Sequence, residues 1–323
     1  MIGQEPYYLN NNVLRGENES SMPHFDFPDP KTTDEKKRII QRGLEIIPGI
    51  LTWVTLIGMI VASIFVPVWV AIFIIIFDIY WIFRTIFIAS YSISGYRKLK
   101  IGKEIDWWER CQNIANPQKY QEIIKSKIAL LKESLKEKSE MSWGERRILK
   151  KTLKREKSYL NEVQKIERIK DQILDWREII HVVMLPTATE DADVIEPAIQ
   201  AVADSNFPNQ QFIILLATEE REPEEKRLQK VSSLQQKFKG VFRDFIVTTH
   251  VVKDNEMKAK GSNATFSARE LVKYLNVRKI DLKKVLFSDF DCDSVAHAQY
   301  VAALTYEYIT DPKRLQRSYQ PLP

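Results

Sequence analysis

Asp289, Asp291 and Asp293 stand at alternate positions directly after the apolar run Val285-Leu286-Phe287. Carboxylates this close repel one another, and each is costly to keep ionised near a core. A divalent cation removes that penalty. Hard oxygen ligands suit Mg²⁺ or Mn²⁺, which commonly bind one or two carboxylates together with the phosphates of a substrate. The competing explanation is a polar turn after a strand, with an aspartate capping the next helix.

The elements around the aspartates favour a site. From residue 179 the chain alternates strand and helix patterns. IIHVVMLPT reads as a strand ending at Pro186, and the acidic start of TEDADVIEPAIQAVADSNFP leads into a helix with apolar residues at helical spacing. QQFIILLAT is a second strand, EEREPEEKRLQKVSSLQQKF a polar helix, residues 242–252 a third strand, and VRKIDLKKVLFSDFD ends in a fourth. Such alternation predicts an α/β domain with a mostly parallel sheet. Ligands of such sheets bind beyond the carboxyl ends of the strands. The aspartates, the LPTATED segment and the LLATEER segment all fall at such ends.

Residues 181–323 resemble the donor-binding half of a family 2 glycosyltransferase with the Rossmann-like GT-A fold, in particular the membrane-embedded, cellulose-synthase-like kind. HVVMLPTATEDADVIEPAIQAVADSNFP is similar to the opening strand, Pro-x-x-x-Glu turn and first helix of that family. MKAKGSNATFSARELV keeps its Lys-x-x-x-x-Asn spacing through Lys258 and Asn263, and FDCDSVAHAQYVAAL resembles its Asp-x-Asp motif and following helix. The register makes Asp291 and Asp293 the metal-binding pair, with Asp289 and Asp291 as the alternative. The resemblance implies a nucleotide-sugar donor, taken as a UDP-sugar, held with Mg²⁺ or Mn²⁺ and transferred with inversion to a glycan or lipid-linked acceptor. Pro186, Thr187, Thr189, Glu190 and Glu219 would hold the base and ribose. Lys258 would reach a phosphate, unless it is only a solvated lysine. Asn263 would hold the sugar or cap a helix. Asp291 would serve the donor as well as the metal.

The sequence departs from the family after the second strand, where paired aspartates are expected and Ala217-Thr218-Glu219-Glu220-Arg221 stands. An acidic general base and a Gln-x-x-Arg-Trp segment are also expected further along. Neither precedes the final SYQPLP, and Glu307 and Asp311 are poor substitutes for the base. On this reading the chain carries a donor site without its acceptor half. Two alternatives are a membrane-anchored scaffold whose α/β domain is a binding module, and a haloacid-dehalogenase-like phosphatase built on Asp289 and Asp291. The second is opposed by Cys292 and Asp293, which stand where Gly and Thr are required.

The rest of the chain places this domain beside a membrane. Residues 46–92 hold two apolar runs, each about the length needed to cross a bilayer, with Pro67 near their joint. Lys36, Lys37, Arg38 and Arg42 precede them, and Arg97, Lys98, Lys100 and Lys103 follow. Basic flanks stay in the cytoplasm, so a transmembrane hairpin of the inner or plasma membrane with both ends cytoplasmic is expected. Asp78 and Arg84 lie inside the second run. Residues 117–178 predict two charged antiparallel helices broken near Met141-Ser142-Trp143-Gly144, with Ser142 as the helix cap. The expected division is a disordered polar tail over 1–37, the membrane helices over 38–98, a charged helical region over 99–178 and the transferase half over 179–323. The net charge of +5 over 323 residues does not call for a nucleic-acid partner. Cys111 and Cys292 form neither a zinc pattern nor a disulfide framework.

Overall fold

The structure, a computed structural model, describes residues 35–137, 142–252 and 259–320. Within it the chain divides into two compact units. One comprises residues 106–250 and 263–320, the other residues 35–105 and 251–262.

The second unit contains two helices, α1 (Glu35–Phe65) and α2 (Pro67–Lys103), separated by Val66 alone. Proline at the first position of α2 fixes φ and lacks an N–H, so the break falls where the sequence puts it. Both helices outrun the apolar core of residues 46–92, and α1 begins inside the segment expected to be disordered; the rest of that tail lies outside the described residues. Both are long and apolar enough to span a membrane. No residue of either is buried, and the half-buried positions near the joint are Met59, Ala62 and Val70. The two helices therefore meet at the break rather than pack side by side along their lengths. Arg84 is engaged within its own helix, donating to the Tyr80 hydroxyl at 2.9 Å and lying 5.3 Å from the Trp81 ring centre.

The first unit is a three-layer α/β fold with a helical flank. Strands β1 (Ile180–Pro186), β2 (Phe212–Glu219), β3 (Asp244–His250) and β4 (Val285–Asp289) form one sheet in the order β3-β2-β1-β4, with all pairs parallel. β1 and β2 are buried at every position, which explains their near-continuous apolar sequence. On one face, Val183, Leu185, Ile214, Leu216 and Val247 pack on α6 (Ala192–Ala203) and α7 (Glu224–Lys237). On the other, Val182, Met184, Ile213, Leu215 and Ile246 pack on α8 (Lys260–Val277) through Leu271, Tyr274 and Leu275.

The charged middle is part of this same unit. Helices α3 (Trp107–Ile114), α4 (Pro117–Glu137) and α5 (Trp143–Glu167) share a core with Ile179, Leu286 and α9 (Tyr300–Thr310). α4 and α5 are antiparallel, with Tyr120 near the start of one meeting Tyr159 of the other at 5.8 Å between ring centres. Ser142 caps α5, and its N–H donates to the Glu145 carboxylate at 3.0 Å. Arg110 joins the layers from a nearly buried position. Its guanidinium lies 3.4 Å from the Tyr159 ring centre and 5.0 Å from that of Trp107.

Candidate functional site

The order β3-β2-β1-β4 contains one reversal. From β1 the chain steps outward to β2 and β3, then returns to the opposite side of β1 to lay down β4. β1 and β4 lie side by side with their carboxyl ends together at that point, the place where an open parallel sheet binds ligands, and the chain leaving both strands runs to the same face, where α6 and α9 pack. Pro186 ends β1 there, and Asp289 ends β4 there.

The alternate spacing of the aspartates has a structural cause. Met184 pairs with Asp289, and the Phe290 N–H still donates to the Met184 carbonyl at 2.9 Å, so extended geometry continues past the strand. Phe290 turns inward onto Tyr300, with ring centres 5.5 Å apart, and Cys292 also packs against the core. Alternation along the extended stretch sends Asp289 and Asp291 outward on either side of Phe290, Asp293 lies in the turn that follows, and all three are exposed. The Ser294 N–H donates to the Asp291 carbonyl at 2.9 Å, closing a turn that holds Asp291 and Asp293 on either side of Cys292.

The β1 turn faces the same region. Burial raises the Cys292 thiol pKa, and the negative charges of Glu190, Asp293 and Asp291 raise it further, which puts Glu190 within electrostatic reach of the aspartate turn. Burial alone would push the Glu190 carboxyl up. The N–H groups of Ala188 and Thr189, at 2.6 and 3.0 Å, and the charge of Lys230 outweigh it and hold the carboxyl below the ordinary glutamate range. Thr189 is exposed at the tip of this turn. Among the described residues, no three His, Cys, Asp or Glu side chains converge to hold an ion unaided. Exposed carboxylates such as Asp291 and Asp293 are ligands of the kind that Mg²⁺ or Mn²⁺ take together with phosphate oxygens and water.

The remaining predicted residues sit inside the fold. Thr187 is buried, and its hydroxyl accepts from Lys230 Nζ at 2.9 Å. Asn263, also buried, donates from Nδ2 to the Ala217 carbonyl at 2.9 Å and accepts from the Ser267 hydroxyl at 3.3 Å. Its amide thus ties α8 to the ends of the strands. Glu219 is buried against the Arg221 guanidinium, which lies off the axis a hydrogen bond requires, so the contact is an ion pair. Lys258 lies outside the described residues. Of the two poor substitutes for a base, Asp311 is paired with Arg317 at 2.9 Å and Glu307 is exposed on α9.

Sequence reasoning missed the residue that ties this edge together. Lys230 is 4% exposed, and its ammonium lies 2.7 and 2.9 Å from the two oxygens of buried Glu222. It also donates to the Glu190 carbonyl at 3.0 Å, so one cation holds the β1 turn and the loop after β2. The signal lay in helical spacing. Lys230 shares the inward face of α7 with Val231 and Leu234, where a lysine demands a buried partner. Compared with known protein families, the sequence matches no family profile, and no curated protein matches it either.

Proposed function

We propose that the four-stranded unit is the nucleotide-diphosphate-sugar-binding half of a membrane-bound, metal-dependent glycosyltransferase with a GT-A-like domain. The observation that carries this reading is the outward pair Asp291 and Asp293 at the reversal of strand order, beside the Glu190 turn. Mg²⁺ or Mn²⁺ bound there would neutralise the diphosphate as it leaves the sugar. Asp291 and Asp293 hold the cation from one side. The Pro186–Glu190 turn, kept in shape by Lys230 and by the Glu190 carboxylate on its own N–H groups, receives the nucleoside. Thr187, Glu219 and Asn263 act from beneath, positioning the strand ends that form the floor. The acceptor is a glycan or a lipid-linked sugar.

In the same reading the two apolar helices cross the bilayer, and their basic flanks keep both ends in the cytoplasm, where nucleotide sugars are made available. The test is calorimetric titration of UDP into the full chain in detergent, with and without Mn²⁺. Binding that requires Mn²⁺ and disappears in the double variant Asp291→Asn, Asp293→Asn supports the reading. Mn²⁺-dependent affinity that survives in the double variant overturns the metal assignment.

A further inference from the structure

The outward face of α5 carries a feature that the donor site does not use. By helical spacing, Trp143, Arg147, Lys150 and Lys154 fall on the side opposite the buried Val163 and Ile166. All four are exposed, and Trp143 shows 76% of its surface although it is large and apolar. Glu145 and Glu156 lie toward the other side of the helix. Glu145 caps the helix start, and Glu156 sits half-buried beside Arg155. None of Arg147, Lys150, Lys151 and Lys154 makes an ion pair with another described residue, and Arg147 instead lies 5.4 Å from the Trp143 ring centre.

Exposed lysines that only keep a helix soluble are normally interspersed with acids, as Glu122 and Lys125 are on α4. A one-sign basic face with an exposed tryptophan among its charges is instead the pattern of a helix seated against a lipid headgroup layer. Tryptophan prefers the membrane interface, and lysine and arginine meet anionic headgroups. A polyanion with no apolar phase, such as a nucleic acid, would leave Trp143 in water. The chain supplies the bilayer itself, because α2 ends only at Lys103 and α3 begins at Trp107.

We infer that the first half of α5 is an interfacial docking surface for anionic phospholipid, seating Trp143 in the headgroup layer. The inference does not depend on the donor-site reading. The test places the full chain in nanodiscs of brominated phosphatidylcholine, alone or with one third phosphatidylglycerol. The signal of Trp143 is the difference in fluorescence between wild type and Trp143→Phe. Quenching of Trp143 is expected in the anionic discs and is lost in zwitterionic discs or high salt. Each neutralisation among Arg147→Gln, Lys150→Gln and Lys154→Gln is expected to weaken the contact about fivefold. No quenching in anionic discs, or quenching indifferent to lipid charge, overturns the inference. So does capture of double-stranded RNA by the same face with no quenching, which would assign it to a nucleic acid. The lipid comparison uses the unaltered chain, so its outcome does not depend on the variants folding.

Discussion

The two sides of the sheet's carboxyl edge treat charge in opposite ways. Over β1 and β2, charged and polar side chains are sealed in: Lys230 on Glu222, Glu219 beside Arg221, Asn263 across the Ala217 carbonyl. Past β4, three aspartates face outward, Asp289 and Asp291 from the extended end of the strand and Asp293 from the turn that follows, while Phe290 and Cys292 anchor the segment to the core. The same residue classes thus serve two purposes a few residues apart. Inside, each charge has a fixed partner and its role is to hold backbone in place. Outside, the carboxylates are arranged by the backbone and keep faces turned to solvent.

Removing the buried cation breaks the comparison most severely. Lys230→Ala leaves the Glu222 carboxylate uncompensated in the interior, and a loss of about 3–5 kcal/mol in unfolding free energy is expected by urea titration. Replacing both partners, Lys230→Met with Glu222→Leu, recovers only part of that loss, because it removes the uncompensated charge but also the donor to the Thr187 hydroxyl and the Glu190 carbonyl. A single-variant loss near that of a surface substitution would show that the edge is not held by this pair.

Acid probes a second buried group behind the same strands. Burial pushes the His181 imidazole from 6.5 down to about 3. Its Nε2 lies 2.8 Å from the Thr305 hydroxyl, and its ring packs on Phe207 and Phe212. The folded state keeps this ring neutral, while the unfolded chain takes up a proton once the pH drops below the ordinary value. Stability from His181 is therefore complete above pH 6.5 and falls as pH descends toward 3, by about 1.4 kcal/mol per pH unit. Stability measured against pH in His181→Leu is expected to lack this slope. The Thr305 hydroxyl keeps its own acceptor at the Val301 carbonyl, 2.8 Å away, so the variant leaves no orphaned donor.

The smallest stability effect belongs to the outward side. Asp291→Asn with Asp293→Asn is expected to move the unfolding free energy by no more than about 0.5 kcal/mol, because substitutions of exposed side chains rarely do more. A loss of several kcal/mol in the double variant would place these residues among the structural ones and erase the contrast.

Much of this arrangement is legible in the sequence, and the gaps have physical causes. The strands are legible because burial on both faces demands unbroken apolar runs, as in Ile213–Leu216. Pro67 and Ser142 are legible because they act on their own backbone. Asp289 and Asp291 are legible as outward because alternation along an extended chain is local, whereas the exposure of Asp293 comes from the turn closed by Ser294. Lys230 escaped notice because its partner, Glu222, is recognised only when the loop before α7 folds back over the helix. The anchoring of α3 escaped notice for a similar reason: the Trp108 N–H donates to Gln299, 191 residues away, at 3.1 Å. Asn263 was placed by its motif at a ligand or a cap. Its position inside α8, facing the ends of β1 and β2, follows only from how that helix lies on the sheet.

The central claim is that Asp291 and Asp293 hold a divalent cation together with a diphosphate. The most direct measurement is the free Mn²⁺ signal in electron paramagnetic resonance as the full chain and UDP are added together. The account predicts that chain plus UDP removes one equivalent of free Mn²⁺ beyond what UDP removes alone, and that the double aspartate variant removes none. A free Mn²⁺ signal that the wild-type chain leaves at the level set by UDP alone would contradict it.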